Sequence, residues 1–169
     1  MKSFASKHRW LIYILIGVVF GIIDYYIQLL TRTFDSRLAY AVVAFGVWLI
    51  PAVPIAIYEM KVSKSILRTM LTTVATWVVA VFVYYTYIMF RLMFIGQDSM
   101  AHLHISNSND PYYWENIKST FEGDVLGRIE WFWAAIVGGA VVGFLAAVIY
   151  KVIAKRYLKK SKSVPDIVK

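Results

Sequence analysis

The stretch WLIYILIGVVFGIIDYYIQLL, from Trp10 to Leu30, is long enough to cross a bilayer as one helix, yet it carries an ionisable acid, Asp24, inside it. A spanning helix needs roughly 20 predominantly apolar residues. Gly17, Gly21, Asp24 and Gln28 are spaced four, three and four apart, which on a helix of about 3.6 residues per turn draws them into one stripe. Holding a carboxylate in hydrocarbon costs from about 2.5 to more than 10 kcal/mol. The stripe is therefore expected to face other helices or a wet cavity rather than lipid.

Three further apolar runs follow, over residues 38–58, 70–95 (interrupted by Arg91) and 131–150. With 60% hydrophobic residues against the usual 45–50%, the chain reads as an all-α integral membrane protein, a bundle of four transmembrane helices. Residues 1–158 form one transmembrane domain, 96–130 an outer loop with a short amphipathic helix, and 159–169 a basic tail. The first run follows a basic start, as a secretory signal does. Its apolar length exceeds the roughly 7–15 residues of a signal core and no small-residue cleavage site follows, so a retained anchor is expected. Cysteine is absent, which excludes disulfides, thiol redox chemistry and cysteine metal sites.

Lysine and arginine set the orientation. With the N-terminus inside, thirteen of them lie on the inner side, including Lys2, Lys7, Arg9, Lys61, Lys64, Arg68 and the cluster from Lys151 onward; five lie outside, namely Arg32, Arg37, Arg91, Lys118 and Arg128. That bias predicts a multi-pass protein of a plasma or inner membrane with both termini cytoplasmic. The net charge of +8 sits beside spans, where anionic headgroups attract it, so nucleic acid is not an expected partner.

Several residues stand out along the chain. Pro51 and Pro54 lack amide hydrogens, so the carbonyls of Val47 and Ile50 lose their intrahelical partners and a kink is expected, with those carbonyls available to a cation or to neighbouring groups. Glu59 is expected at the cytoplasmic interface against Lys61, Lys64 or Arg68. In the third helix Thr69, Thr73, Thr76, Ala80, Tyr84, Tyr87 and Arg91 share a face. At about 1.5 Å per residue, Asp24 lies about 22 Å above Arg9 and Tyr84 about 24 Å above Arg68, so the Tyr84 phenol is expected to donate to Asp24. Arg91, about 10 Å further out, is expected either to reach down toward Asp24 or to snorkel to the headgroups. Asp24, Gln28, Thr76, Tyr84, Tyr87 and Arg91 make up the candidate intramembrane polar site.

In the outer loop, Asp110-Pro111 predicts a helix start and Gly123 its end, with Tyr113, Ile117 and Phe121 on one face. That helix is expected either at the outer headgroup plane or as a lid. His102 and His104 form a weak metal candidate, because two histidines do not complete a site; no metal or other cofactor is expected. The fourth helix carries Ala135, Gly139, Gly143 and Ala147 at four-residue spacing, a ladder over which two backbones can approach closely. Its expected partner is Gly17 and Gly21 of the first helix, or the same ladder in another copy.

No phosphate-binding glycine loop, HExxH or GxSxG occurs, so no enzyme is expected. All three histidines lie outside the spans, which leaves a haem between transmembrane helices without ligands. Two functions fit what remains. The first is a membrane subunit that assembles as a homo-oligomer or with another membrane or cytoplasmic protein. The second is a small oligomeric ion- or proton-coupled transporter or channel, with Asp24 as its site and Thr76, Tyr84 and Tyr87 lining the route.

Overall fold

The computed structural model describes residues 2–31, 33–96 and 103–162, with side chains over 8–31, 33–96 and 103–156; those residues form helices and no strands. The first apolar run lies in α1, Lys2–Thr31. The second divides into α2, Arg37–Gly46, and α3, Leu49–Ser63. The third is α4, Ile66–Phe94. Between it and the last helix lie α5, Leu103–Ser106, α6, Tyr113–Thr120, and a π-helical turn, Phe121–Leu126; α7 is Ile129–Lys162. Four segments are long and apolar enough to cross a membrane: His8–Thr31, Arg37–Ser63, Ile66–Phe94 and Tyr113–Arg156, the last taking in the helices ahead of α7. The helices outrun the apolar runs because their polar ends continue the backbone hydrogen bonding while reaching toward water.

Serine side chains start two helices. Ser36 Oγ accepts from the Ala39 amide and Ser65 Oγ from the Arg68 amide, each occupying a donor the first turn leaves over. At Lys64 the backbone turns left-handed, φ 55°, which ends α3 and lets the chain reverse into α4.

The kink in the second span falls at Val47–Trp48, one turn before Pro51. Pro51 has no amide hydrogen for the Val47 carbonyl, and the Ile50 amide takes its place at 3.0 Å. The Trp48 carbonyl accepts the Trp77 indole N–H at 3.1 Å. These two carbonyls are thus engaged by the protein itself.

Small residues decide where the helices meet, and the helix they meet is α4. A Cβ on Gly17 would stand 2.7 Å from the Thr76 carbonyl oxygen, and one on Gly21 would stand 2.5 Å from that of Ala80. On the opposite flank a Cβ at Gly139 would stand 2.9 Å from the Val74 Cα, and one at Gly143 2.8 Å from the Met70 Cα. The two ladders therefore abut α4 from either side rather than each other, contrary to the pairing expected from their spacing. Ala135 and Ala147 are buried on the same helix, Ala135 in a cluster with Ala52, Trp77 and Val81. Residue numbers rise together along the α1–α4 contact and run oppositely along the α4–α7 contact, which puts the start of α1 and the end of α7 at one end of the bundle.

The threonines of α4 share that packing. Thr69, Thr72, Thr73 and Thr76 are all fully buried, with hydroxyls on carbonyls of their own helix. Thr73 Oγ1 also lies 2.7 Å from the Gly139 carbonyl of α7 and Thr76 Oγ1 3.4 Å from the Tyr13 carbonyl of α1. What the spacing marked as a polar face is, over these residues, the packed centre of the bundle.

The loop helices cover the far end of α4, where Ile105 and Val125 are fully buried. Asp110 Oδ1 accepts from the Tyr112 amide as a turn, so α6 begins at Tyr113 rather than Pro111. Gly123 does not end the helix; the chain continues through the π turn to Gly127, whose amide donates to the Glu122 carbonyl at 2.8 Å.

Candidate intramembrane site

A cavity of about 420 Å³ lies between α1, α2, α4 and α7. Asp24 and Gln28 of α1 line one wall. Trp48 at the kink and Trp77, Tyr84 and Tyr85 of α4 supply the large side chains of the interior, while Tyr40 and Phe45 of α2 and Trp131 and Ala134 of α7 line the cavity and are themselves exposed. The cavity is therefore open on its α2–α7 side. Its depth follows from the helices: Asp24 lies seven residues before the end of α1 at Thr31, about 10 Å along the axis. Asp24 thus sits in the half of the bundle farther from the start of α1 and the end of α7.

The aromatic walls are fixed by their own contacts. The rings of Trp48 and Trp77 meet edge to face at 5.4 Å between centroids, and Phe20 meets Trp48 the same way at 5.6 Å. With the Trp77 indole also bound to the Trp48 carbonyl, the inner floor has little rotamer freedom.

Asp24 is 3% exposed. Among the described residues, the hydrogen bond it accepts comes from Gln28 Nε2, one turn along the same helix, at 3.3 Å. A carboxylate offers about four acceptor positions, and the expected bond from Tyr84 is not among them. Tyr84 shares the cavity without donating to the acid. Nor does any described lysine or arginine pair with Asp24. Arg91 donates from Nη1 to the Tyr25 hydroxyl at 2.6 Å and lies over the Tyr25 ring at 5.3 Å. Tyr25 is the residue after Asp24, about 100° around the helix. Tyr87 joins this second cluster, its hydroxyl 2.5 Å from that of Tyr26. Of the six residues grouped from the sequence, Asp24, Gln28 and Tyr84 thus line the cavity. Tyr87 and Arg91 belong to a tyrosine cluster binding α1 to α4, and Thr76 belongs to the packed centre.

Sequence reasoning missed the other end of the bundle. Glu59 is 2% exposed, and its Oε2 accepts from the Tyr13 hydroxyl at 2.8 Å and lies 3.8 Å from Arg9 Nη1. Its partners are on α1, not the lysines and arginine of its own loop, because Glu59 shares a helical face with Ala52, Ile55 and Ala56, all buried. That shared face was the available signal. Trp77 was equally available: it falls four residues after Thr73 and three before Ala80, on the stripe assigned to polar residues.

His102 lies outside the described residues, and His104 Nε2 is 3.4 Å from Thr120 Oγ1. No group of three His, Cys, Asp or Glu side chains suited to a metal occurs among the described residues. Comparison of the chain with protein-family models, characterised proteins and solved structures finds no match.

Proposed function

We propose that this chain is a small multi-pass transport protein of a plasma or inner membrane, with both termini cytoplasmic, that binds a cationic species at Asp24. One observation carries the proposal: a nearly fully buried carboxylate lines an open cavity, with one long hydrogen bond and no described cation beside it. Ionisable groups at such depth are expensive, and a bound cation offsets that cost. The opposite end of the bundle is closed by Arg9, Tyr13 and Glu59. A cavity that opens between α2 and α7, with α1 held to α3 by Arg9, Tyr13 and Glu59 at the other end of the bundle, leaves the acid reachable from that one flank. In the channel form of the proposal Thr76 would line a route, but its hydroxyl is committed to carbonyls, which favours a carrier. Assembly as a homo-oligomer or with a partner protein loses the seam that suggested it, since Gly139 and Gly143 are spent on α4.

The test is flux of protons and monovalent cations through proteoliposomes containing the full chain, compared with Asp24→Asn. Loss of flux in the variant, with detergent-solubilised protein eluting as wild type does, is the expected result. Equal flux in the two, or none in either, sinks the proposal.

A further inference from the structure

The walls around Asp24 suit an organic cation better than a dehydrated inorganic one. The latter needs several oxygen ligands gathered around it; besides the acid the cavity offers the Gln28 amide and the phenols of Tyr40, Tyr84 and Tyr85, spread over three helices, the rest of its lining is aromatic ring or aliphatic, and the carbonyls of Val47 and Trp48 are taken by Ile50 and Trp77. Aromatic faces attract a cation whose charge is spread over alkyl groups, and quaternary ammonium ions are recognised in this way. The size agrees as well. At about 30 Å³ per heavy atom, taken from the share of a water in the liquid, 420 Å³ holds roughly 14 such atoms.

We infer that the cavity is a binding site for a monovalent organic ammonium ion, its charge against Asp24, its apolar substituents on Trp48, Trp77 and Tyr84, admitted sideways between α2 and α7. The inference rests on the assignment of Asp24 as a cation site and names the class of cation. Lateral entry follows from the exposed lining residues Tyr40 and Phe45 on α2 and Trp131 and Ala134 on α7. An ammonium could arrive on a free amphiphile or on a choline or ethanolamine headgroup. The free amphiphile fits better. A phospholipid carries a phosphate beside its ammonium, and among the described residues no lysine or arginine lines the cavity to meet it.

The experiment uses the full chain in nanodiscs of phosphatidylglycerol, which has no ammonium. Binding of benzyltrimethylammonium, with 11 heavy atoms by its formula and so within roughly the 14 allowed, is measured by equilibrium dialysis. Its uncharged isostere neopentylbenzene is the control. Wild type is expected to bind the ammonium at least tenfold more tightly than the isostere. Asp24→Asn should remove that preference while retaining the isostere within about twofold, which also shows that the cavity is still formed. Ala134→Phe, which narrows the opening and leaves the acid in place, should weaken both ligands. Equal binding of the ammonium by wild type and Asp24→Asn overturns the inference, as does equal binding of the two ligands by wild type. Displacement of the ammonium by stoichiometric phosphatidylcholine or phosphatidylethanolamine would assign the site to lipid headgroups and overturn the free-amphiphile source. Asp24-dependent proton flux without ammonium binding leaves the transport proposal standing and removes this one. Ammonium binding without flux does the reverse.

Discussion

Alanine in place of glycine should act in opposite directions at Gly21 and Gly46. A Cβ at Gly21 would lie 2.5 Å from the Ala80 carbonyl oxygen, 2.9 Å from the Val83 Cβ and 3.2 Å from the Ala80 Cα. Ordinary contact lies at about 3.5–4.0 Å. Two of those three atoms are backbone and cannot swing aside, so α1 and α4 must part by about 1 Å. Overpacking of this kind costs about 1–3 kcal/mol. The better helix propensity of alanine returns up to about 1 kcal/mol, which with three contacts this short leaves Gly21→Ala destabilised at the upper part of a net range of about 0–2 kcal/mol. At Gly46 nothing lies within 4 Å of the added methyl. Only the propensity term remains, worth about 0.5 kcal/mol near a helix end. The two variants should therefore differ by about 2 kcal/mol. Unfolding by titration of a mild-detergent sample with a denaturing detergent, followed by far-ultraviolet circular dichroism, measures the gap. A Gly21→Ala protein at least as stable as Gly46→Ala would refute the close approach of α1 to α4, and with it the placement of Asp24.

Further substitutions probe the same framework. Tyr13→Phe removes the 2.8 Å hydrogen bond to Glu59 and should cost about 1–3 kcal/mol in the same titration; unfolding indistinguishable from wild type would mean that the closure contributes nothing to stability. Thr73→Val deletes the hydroxyl shared with the Gly139 carbonyl and should cost about 1 kcal/mol. Thr76→Val should cost less, its link to α1 being 3.4 Å long, and the reverse order would count against the interhelical role of Thr73. Trp77→Phe leaves the Trp48 carbonyl without its indole donor, so amides around the kink should exchange faster in hydrogen-exchange mass spectrometry. Unchanged protection over residues 47–52 would show that the kink holds without that bond.

Length and hydropathy made the four long apolar helices legible, because an apolar run of that length has few ways other than a helix to satisfy its backbone. The spacing of Gly17 with Gly21, and of Gly139 with Gly143, marked surfaces of close approach but could not name their partner. A ladder states how near another backbone can come, and α4 presents that backbone on both flanks. The prolines announced a break in the helix, whereas the indole of Trp77 on the neighbouring Trp48 carbonyl is a tertiary contact that no local pattern encodes. Glu59 was misplaced for a related reason. Counting charges along the inner loop drew it toward Lys61 and Lys64, whereas the face it shares with Ala52 and Ala56 turns it onto α1.

The contrast between the threonines of α4 and Asp24 explains why one polar stripe is structural and the other is a candidate site. A threonine hydroxyl has a proton to give, and a helix always presents a carbonyl one turn back to receive it, so Thr69, Thr72, Thr73 and Thr76 are satisfied in a dry interior without any outside group. A carboxylate only accepts, and mid-helix the backbone amides are already bound. Asp24 must therefore draw its donors from side chains or from a ligand. Its helix supplies one, Gln28, at 3.3 Å, and the facing helix brings Trp77, Tyr84 and Tyr85 to the cavity with no hydrogen bond to the acid among the described residues. Replacing Gln28 with Leu thus bears on the site directly. If Gln28 merely braces the helix, ammonium binding should stay unchanged; if it orients the acid toward the cavity, affinity should fall severalfold while Asp24→Asn still falls further.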